Sequence, residues 1–217
     1  MRQYWFRRTT WSSDIEAEFF ARLKRAQDYN RPQYMRIQAI TLLDADSNLW
    51  PDAEKLLNYA LDTWPNDSDL VYVLDAKGRC RELAEDIGGA VDLYCAAIDQ
   101  MRIRPSRESS AQLEAARLIA VNKIRDKYER ALDEVSSVFA SRSLRFPIDI
   151  FLGEGSRALI YHELGRIDEA KTALALAMTA ERQSTSGLPQ HPHLGRVSAR
   201  YTELRRMLLE IARWQLH

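Results

Sequence analysis

The segment Gly153-Glu154-Gly155-Ser156-Arg157-Ala158 comes nearest to carrying chemistry by its spacing alone. Glycines two apart, with a small residue beyond, let a backbone approach a dinucleotide pyrophosphate. That chemistry needs a strand before the glycines and a βαβ unit around them, and no strand precedes these. The two glycines are expected to be points of close helix packing instead. His191-Pro192-His193 offers two imidazoles with the character of metal ligands. Two nitrogens are too few for a metal site, and no carboxylate or cysteine lies close in sequence, so a loop is expected. Cys80 and Cys95 fall inside predicted helices and read as small buried apolar residues of a reducing compartment. The chain has no Gly-Lys-Ser/Thr phosphate loop, no His-Glu-x-x-His and no Gly-x-Ser-x-Gly elbow. No catalytic residue, cofactor or metal ligand is assigned, and a non-enzymatic protein is expected.

The elements that would position any site are helices, and they repeat. Ala53, Ala90, Ala131 and Ala170 are separated by 37, 41 and 39 residues. Four residues after each stands Leu57, Tyr94, Val135 or Leu174, and seven after stands Ala60, Ala97, Val138 or Ala177. Three residues before each comes a bulky one: Trp50, Ile87, Tyr128 or Ile167. Offsets of −3, 0, +4 and +7 share one face of a helix. Small residues on that face let two backbones approach, and the bulky neighbour fills the space beside them. Upstream of each stripe lies another helical stretch: Gln33–Asp44, Asp69–Leu83, Gln112–Lys127 and Phe151–Leu164. A helix pair that cannot bury its apolar face alone buries it on the next pair, which predicts an all-α solenoid of about four hairpins.

These residues resemble the tetratricopeptide repeat family over roughly residues 32–183. The fourth repeat is the best match, with Ala158, Tyr161, then Leu164-Gly165-Arg166-Ile167-Asp168-Glu169-Ala170, Leu174 and Ala177. The third offers Asp126-Lys127-Tyr128-Glu129-Arg130-Ala131, the second has Gly78 at the small first-helix position, and the first closes on Ala60 to Pro65. The spacing exceeds the family's usual length of about 34 residues. The first repeat carries an extra residue in its turn, at Asp44–Asn48.

The ends stand apart from the repeats. Residues 1–11 are aromatic and basic and suit an extended segment packed on the first helices. Ser13-Asp14-Ile15-Glu16 reads as a capping box opening a helix to about Gln27, with Phe19, Phe20, Leu23 and Ala26 as its stripe. Leu204, Met207, Leu208 and Ile211 mark a last helix running to near Trp214. Both read as caps of one domain: residues 1–31 before the repeats and 184–217 after them, with a loop at 184–195. Pro32, Pro51, Pro65, Pro105 and Pro147 sit at expected helix boundaries.

Composition excludes several roles. Arg7 and Arg8 interrupt the apolar opening after Tyr4-Trp5-Phe6 and no apolar run is long enough to span a bilayer, so a cytoplasmic protein is expected. Net charge is zero, yet residues 1–36 carry +4 and residues 37–99 carry −9. Nucleic acid is disfavoured as a partner, since phosphate binding wants a concentrated basic stripe. The acidic block suits a basic protein partner through electrostatic steering, or is simply a solvated face.

The family resemblance implies an inner surface built from the first helix of each repeat. Its register places Arg36 there in the first repeat, Tyr72, Asp75, Arg79 and Glu82 in the second, Lys123 in the third, and His162 and Glu163 in the fourth. This mixed set lacks the repeated Asn/Lys/Arg pattern of family members that clamp a terminal carboxylate. The expectation is a protein that captures another protein, most sharply an intracellular inhibitor or immunity protein acting on a toxin. The alternative is an adaptor or secretion chaperone with several clients.

Overall fold

The computed structural model describes residues 4–65, 68–141, 146–186, 190–191 and 193–214. It is 77% helix, with no strand among the described residues. It divides into two compact units, Met1–Ala111 and Gln112–His217. The N-terminal unit holds α1 (Ser13–Arg25), α2 (Arg31–Ala45), α3 (Trp50–Thr63), α4 (Leu70–Leu83) and α5 (Ile87–Ile103). The C-terminal unit holds α6 (Ala111–Val121), α7 (Tyr128–Ser141), α8 (Pro147–Glu163), α9 (Ile167–Glu181) and α10 (Thr202–Trp214). No described helix is long and apolar enough to cross a membrane.

All four repeating alanines are buried, as are the residues four and seven positions later. Each alanine-bearing helix begins at the bulky −3 residue, so α3, α5, α7 and α9 start in register at Trp50, Ile87, Tyr128 and Ile167. In the N-terminal unit α2 packs on α3, α4 on α5, and α4 also meets α2 and α3. Tyr94 of α5 is fully buried over Gly78 of α4, where a Cβ would lie 2.7 Å from the ring. In the C-terminal unit α8 packs on α9 and also meets α7 and α10.

The turns repeat as closely as the stripes. Asp86, Ile124 and Arg166 each donate a backbone N–H to the carbonyl five residues back, on Arg81, Ile119 and Tyr161. The residue before each is left-handed: Glu85 at φ 61°, Lys123 at φ 53° and Gly165 at φ 73°. This is the Schellman ending, which satisfies the last carbonyls of a helix and turns the chain sharply. Glycine suits that conformation without penalty, whereas Glu85 and Lys123 adopt it at a cost of about 1 kcal/mol each. The α2–α3 turn differs: it inserts a 3-10 turn, Ser47–Leu49, with the Asp46 carboxylate accepting from the Asn48 N–H at 2.9 Å. The extra residue expected in the first repeat lies here.

Three local expectations need correction. The cap of α1 is Ser12, whose hydroxyl accepts from the Ile15 N–H at 3.4 Å; Ser13 is already helical, so no Ser13–Glu16 box forms. The third repeat's first helix ends at Val121, because the left-handed Lys123 breaks it before a separate 3-10 turn at Arg125–Lys127. Ile167 is 43% exposed, unlike its half-buried or buried counterparts in α3, α5 and α7. The helix that follows α9, α10, lies along α8 and reaches α9 at its far end through Arg205 and Glu181, which leaves the start of α9 open.

The start of the chain is not extended throughout, because it turns at Trp5-Phe6 with the Arg7 N–H donating to the Tyr4 carbonyl at 3.0 Å. The segment 4–11 packs on the first helices, with Phe6 stacked on Tyr34 at 4.4 Å. Phe19 and Leu23 of α1 join the core with Met35, Ala39, Leu42, Ala53 and Leu57. Leu204, Leu208 and Ile211 bury the inner side of α10, and Arg206, paired with Glu203 and Glu210, faces out.

Candidate functional site

The residues assigned to a partner-binding face gather in two places, one in each unit. In the N-terminal unit, Tyr72, Asp75, Arg79 and Glu82 lie three, four and three residues apart on α4 and are all half-buried. Val73, Ala76 and Cys80 fall between them and enter the core, so packing fixes which side of the helix the polar stripe takes. Arg36 crosses from α2: its Nε donates to Asp69 Oδ2 at 2.9 Å and its guanidinium lies 4.9 Å over the Tyr72 ring. Arg79 donates to Asp44 at 2.6 Å and to the Leu43 carbonyl at 2.8 Å, closing the C-terminal end of α2. The Ser110 hydroxyl donates to Asp75 at 3.4 Å. The stripe is therefore braced at two levels by arginines that span helices. Arg36, at 17% side-chain exposure, is committed to Asp69 rather than presented to solvent.

In the C-terminal unit, Lys123, His162 and Glu163 line one cleft of about 210 Å³ with Ala120, Leu159, Met207, Glu210 and Ile211. Its floor is apolar and its rim charged. The left-handed turn after α6 aims Lys123 at Glu163, 2.8 Å away, and Arg125 reaches the other oxygen at 3.0 Å. The hydrogen bond from Lys123, with that from Arg125, outweighs burial and holds the Glu163 carboxyl below its ordinary range. The cleft is of a size to take one large side chain, and at its rim Lys123 and Arg125 share the single Glu163 carboxylate.

A buried polar cluster also stands in this unit, and sequence reasoning did not find it. Glu114 of α6 accepts from Arg117 at 2.9 Å and from the Tyr201 hydroxyl at 2.7 Å, with Arg200 at 3.3 Å. Burial by itself pushes the Glu114 pKa up, but Arg200, Arg117 and the Tyr201 hydrogen bond together bring it below the ordinary value. Burial and the neighbouring Glu114 charge push the Tyr201 phenol up. A carboxylate three residues before an arginine in an apolar run was the one available signal. Tyr201 lies 87 positions away, and only folding brings it in.

The other chemistry-bearing residues resolve into packing. A Cβ on Gly153 would fall 2.5 Å from the Phe139 ring, and one on Gly155 would fall 3.2 Å from both Leu204 and Leu208. The dinucleotide-like segment is thus the interior of α8, where glycines admit neighbouring helices. Glu154 within it pairs with Arg157 at 3.0 Å. Cys80 is buried, and burial, reinforced by Glu54, pushes its thiol up to about 12; Cys95 is half-buried, and neither is in a disulfide. His193 lies 3.1 Å from Arg196, His191 receives the Ser186 hydroxyl on its carbonyl, and Pro192 lies outside the described residues.

Comparison with protein-family models, with curated proteins and with solved structures gives no match for this chain.

Proposed function

We propose that the chain is a tetratricopeptide-like module whose activity is the capture of another protein, in the manner of an intracellular inhibitor or immunity protein acting on a basic toxin. The alanine stripes and the thrice-repeated Schellman turn support the hairpin-repeat reading. The observation that carries the function is the polar stripe on α4. Tyrosine and arginine held in place before binding lose little entropy on contact, which is how small sets of residues dominate an interface. The braces Arg36–Asp69 and Arg79–Asp44 supply that rigidity to Tyr72 and Arg79. Cys80 and Cys95, neither of them in a disulfide, are in keeping with work in a reducing compartment.

A pull-down followed by mass spectrometry identifies the partner, and surface-plasmon kinetics across a salt series then test the mechanism. Steering by the acidic block predicts association that slows as salt rises, with dissociation changing less. Charge reversal at Asp75 and Glu82 weakens binding more than reversal at Asp62 and Asp67, of which Asp67 lies outside the described residues. An acidic partner, or equal effects from the two pairs, refutes the residue assignment. One tight, slowly leaving partner distinguishes an inhibitor from an adaptor that holds several clients weakly.

A further inference from the structure

The segment Tyr4–Trp11 is bound to the N-terminal unit as a peptide would be. Gln38 of α2 is fully buried, and its side-chain amide pairs with both backbone groups of one residue. The Arg8 N–H donates to Gln38 Oε1 at 2.9 Å, and Gln38 Nε2 donates to the Arg8 carbonyl at 2.8 Å. This reproduces the reciprocal exchange of an antiparallel strand pair, which only an extended Arg8 satisfies; just before it the chain turns at Trp5-Phe6, where the Arg7 N–H donates to the Tyr4 carbonyl at 3.0 Å. On one side Phe6 stacks on Tyr34, and Trp5 meets Tyr34 edge-on at 5.2 Å and Phe19 at 5.4 Å. On the other, the Arg8 guanidinium donates to Glu18 at 3.0 Å. The contacts thus read a pattern of two aromatics, one free position and a basic residue, which is Trp5-Phe6-Arg7-Arg8.

The segment is held by side chains, with Trp5, Phe6 and Trp11 half-buried on the core and Trp11 meeting Phe19 at 5.6 Å, while its backbone is less engaged. Tyr4 is 59% exposed, and Arg7, Thr9 and Thr10 are exposed as well. Among the described residues its backbone is tied to the helices through Gln38, whereas α2 carries a full ladder of its own. Segments with few buried contacts open at far lower free energy than the core that supports them. Opening would leave Gln38 as a buried amide without partners beside uncovered Phe19, a state penalised until another backbone enters. We propose that Glu18, Phe19, Tyr34 and Gln38 form a receptor groove for an aromatic-aromatic-x-basic peptide that turns at its aromatics and extends at its basic residue, which the chain's own N-terminal segment occupies and a partner's segment of the same chemistry displaces. This surface is separate from the α4 stripe and stands whether or not that stripe binds a partner.

The test uses the full chain with a fluorescent peptide of residues 1–11, followed by polarisation. Trp5→Ala/Phe6→Ala in the chain loosens the resident segment, so the peptide binds this variant at least tenfold more tightly than wild type. Adding Gln38→Leu removes that gain, and Arg8→Glu in the peptide does the same. Equal binding to variant and wild type, or binding to neither, overturns the proposal. Hydrogen exchange on the unmodified chain gives an independent arm that needs no variant to fold. The amides of residues 6–8 exchange at least a hundredfold faster than those of Ala39–Leu43. Exchange of both sets at one common rate makes the segment a core element and also overturns the proposal.

Discussion

Replacing Gly78 by alanine should destabilise the chain, although the same change in most helices stabilises. Alanine in a helix interior is favoured over glycine by about 0.5–1 kcal/mol, through a smaller loss of backbone entropy. At Gly78 the new Cβ would lie 2.7 Å from Tyr94 Cε1 and 2.9 Å from two further ring carbons. Carbon contacts are comfortable at about 3.5–4.0 Å, so ring or helix must retreat by several tenths of an ångström. Tyr94 is fully buried, and the ring has nowhere free to go. Overpacking of this kind costs about 1–3 kcal/mol, leaving a net loss of about 0.5–2 kcal/mol after the helix gain. Gly88, on the first turn of α5, is the matched control, because nothing lies within 4 Å of its Cβ position. Gly88→Ala should be neutral or stabilising by up to about 1 kcal/mol. Urea unfolding of both variants gives opposite signs if Tyr94 is seated on Gly78. A Gly78→Ala protein as stable as wild type would refute that close approach, and with it the tight α4–α5 crossing.

Three further outcomes follow from the same geometry. Ala170→Leu, at a fully buried crossing, should cost about 1–3 kcal/mol, while Ser137→Leu, on the exposed side of α7, should do little; thermal melts of the pair check the repeat register. Glu85→Gly should stabilise by about 0.5–1 kcal/mol in urea titration, because the left-handed turn after α4 then carries no Cβ penalty. Glu114→Gln should cost about 3–5 kcal/mol by leaving Arg117 and Arg200 facing a neutral group. The native Glu114 pKa is lowered, so its contribution is full above the unfolded value of about 4.3 and is lost as pH falls through the native value. Wild-type stability should therefore decline in that acid range more steeply than that of Glu114→Gln, measured by denaturant unfolding at each pH.

The helices and their registers were legible because they rest on local periodicity. A stripe at offsets 0, +4 and +7 can be buried only on one side of a helix, so Ala90, Tyr94 and Ala97 announced both the element and its inner face. Gly165 announced its turn for a similarly local reason, since a left-handed residue favours glycine. Glu85 and Lys123 make the same turn without that signal, and the early end of α6 went unread accordingly. Ile167 shows the other limit: the pattern marks a residue as fit for burial, but a neighbouring helix has to cover it. The candidate site divides in the same way. The α4 stripe was implied by the family resemblance, whereas its bracing by Arg36–Asp69 and Arg79–Asp44 joins residues 33 and 35 positions apart. The cleft at Lys123, His162 and Glu163 needed Met207, Glu210 and Ile211 from α10 to become concave. Gln38, a polar residue at 0% exposure, finds its partner 30 positions upstream. Periodicity within one element determines which residues turn inward; which element they then meet depends on chain packing, and tertiary structure alone decided it.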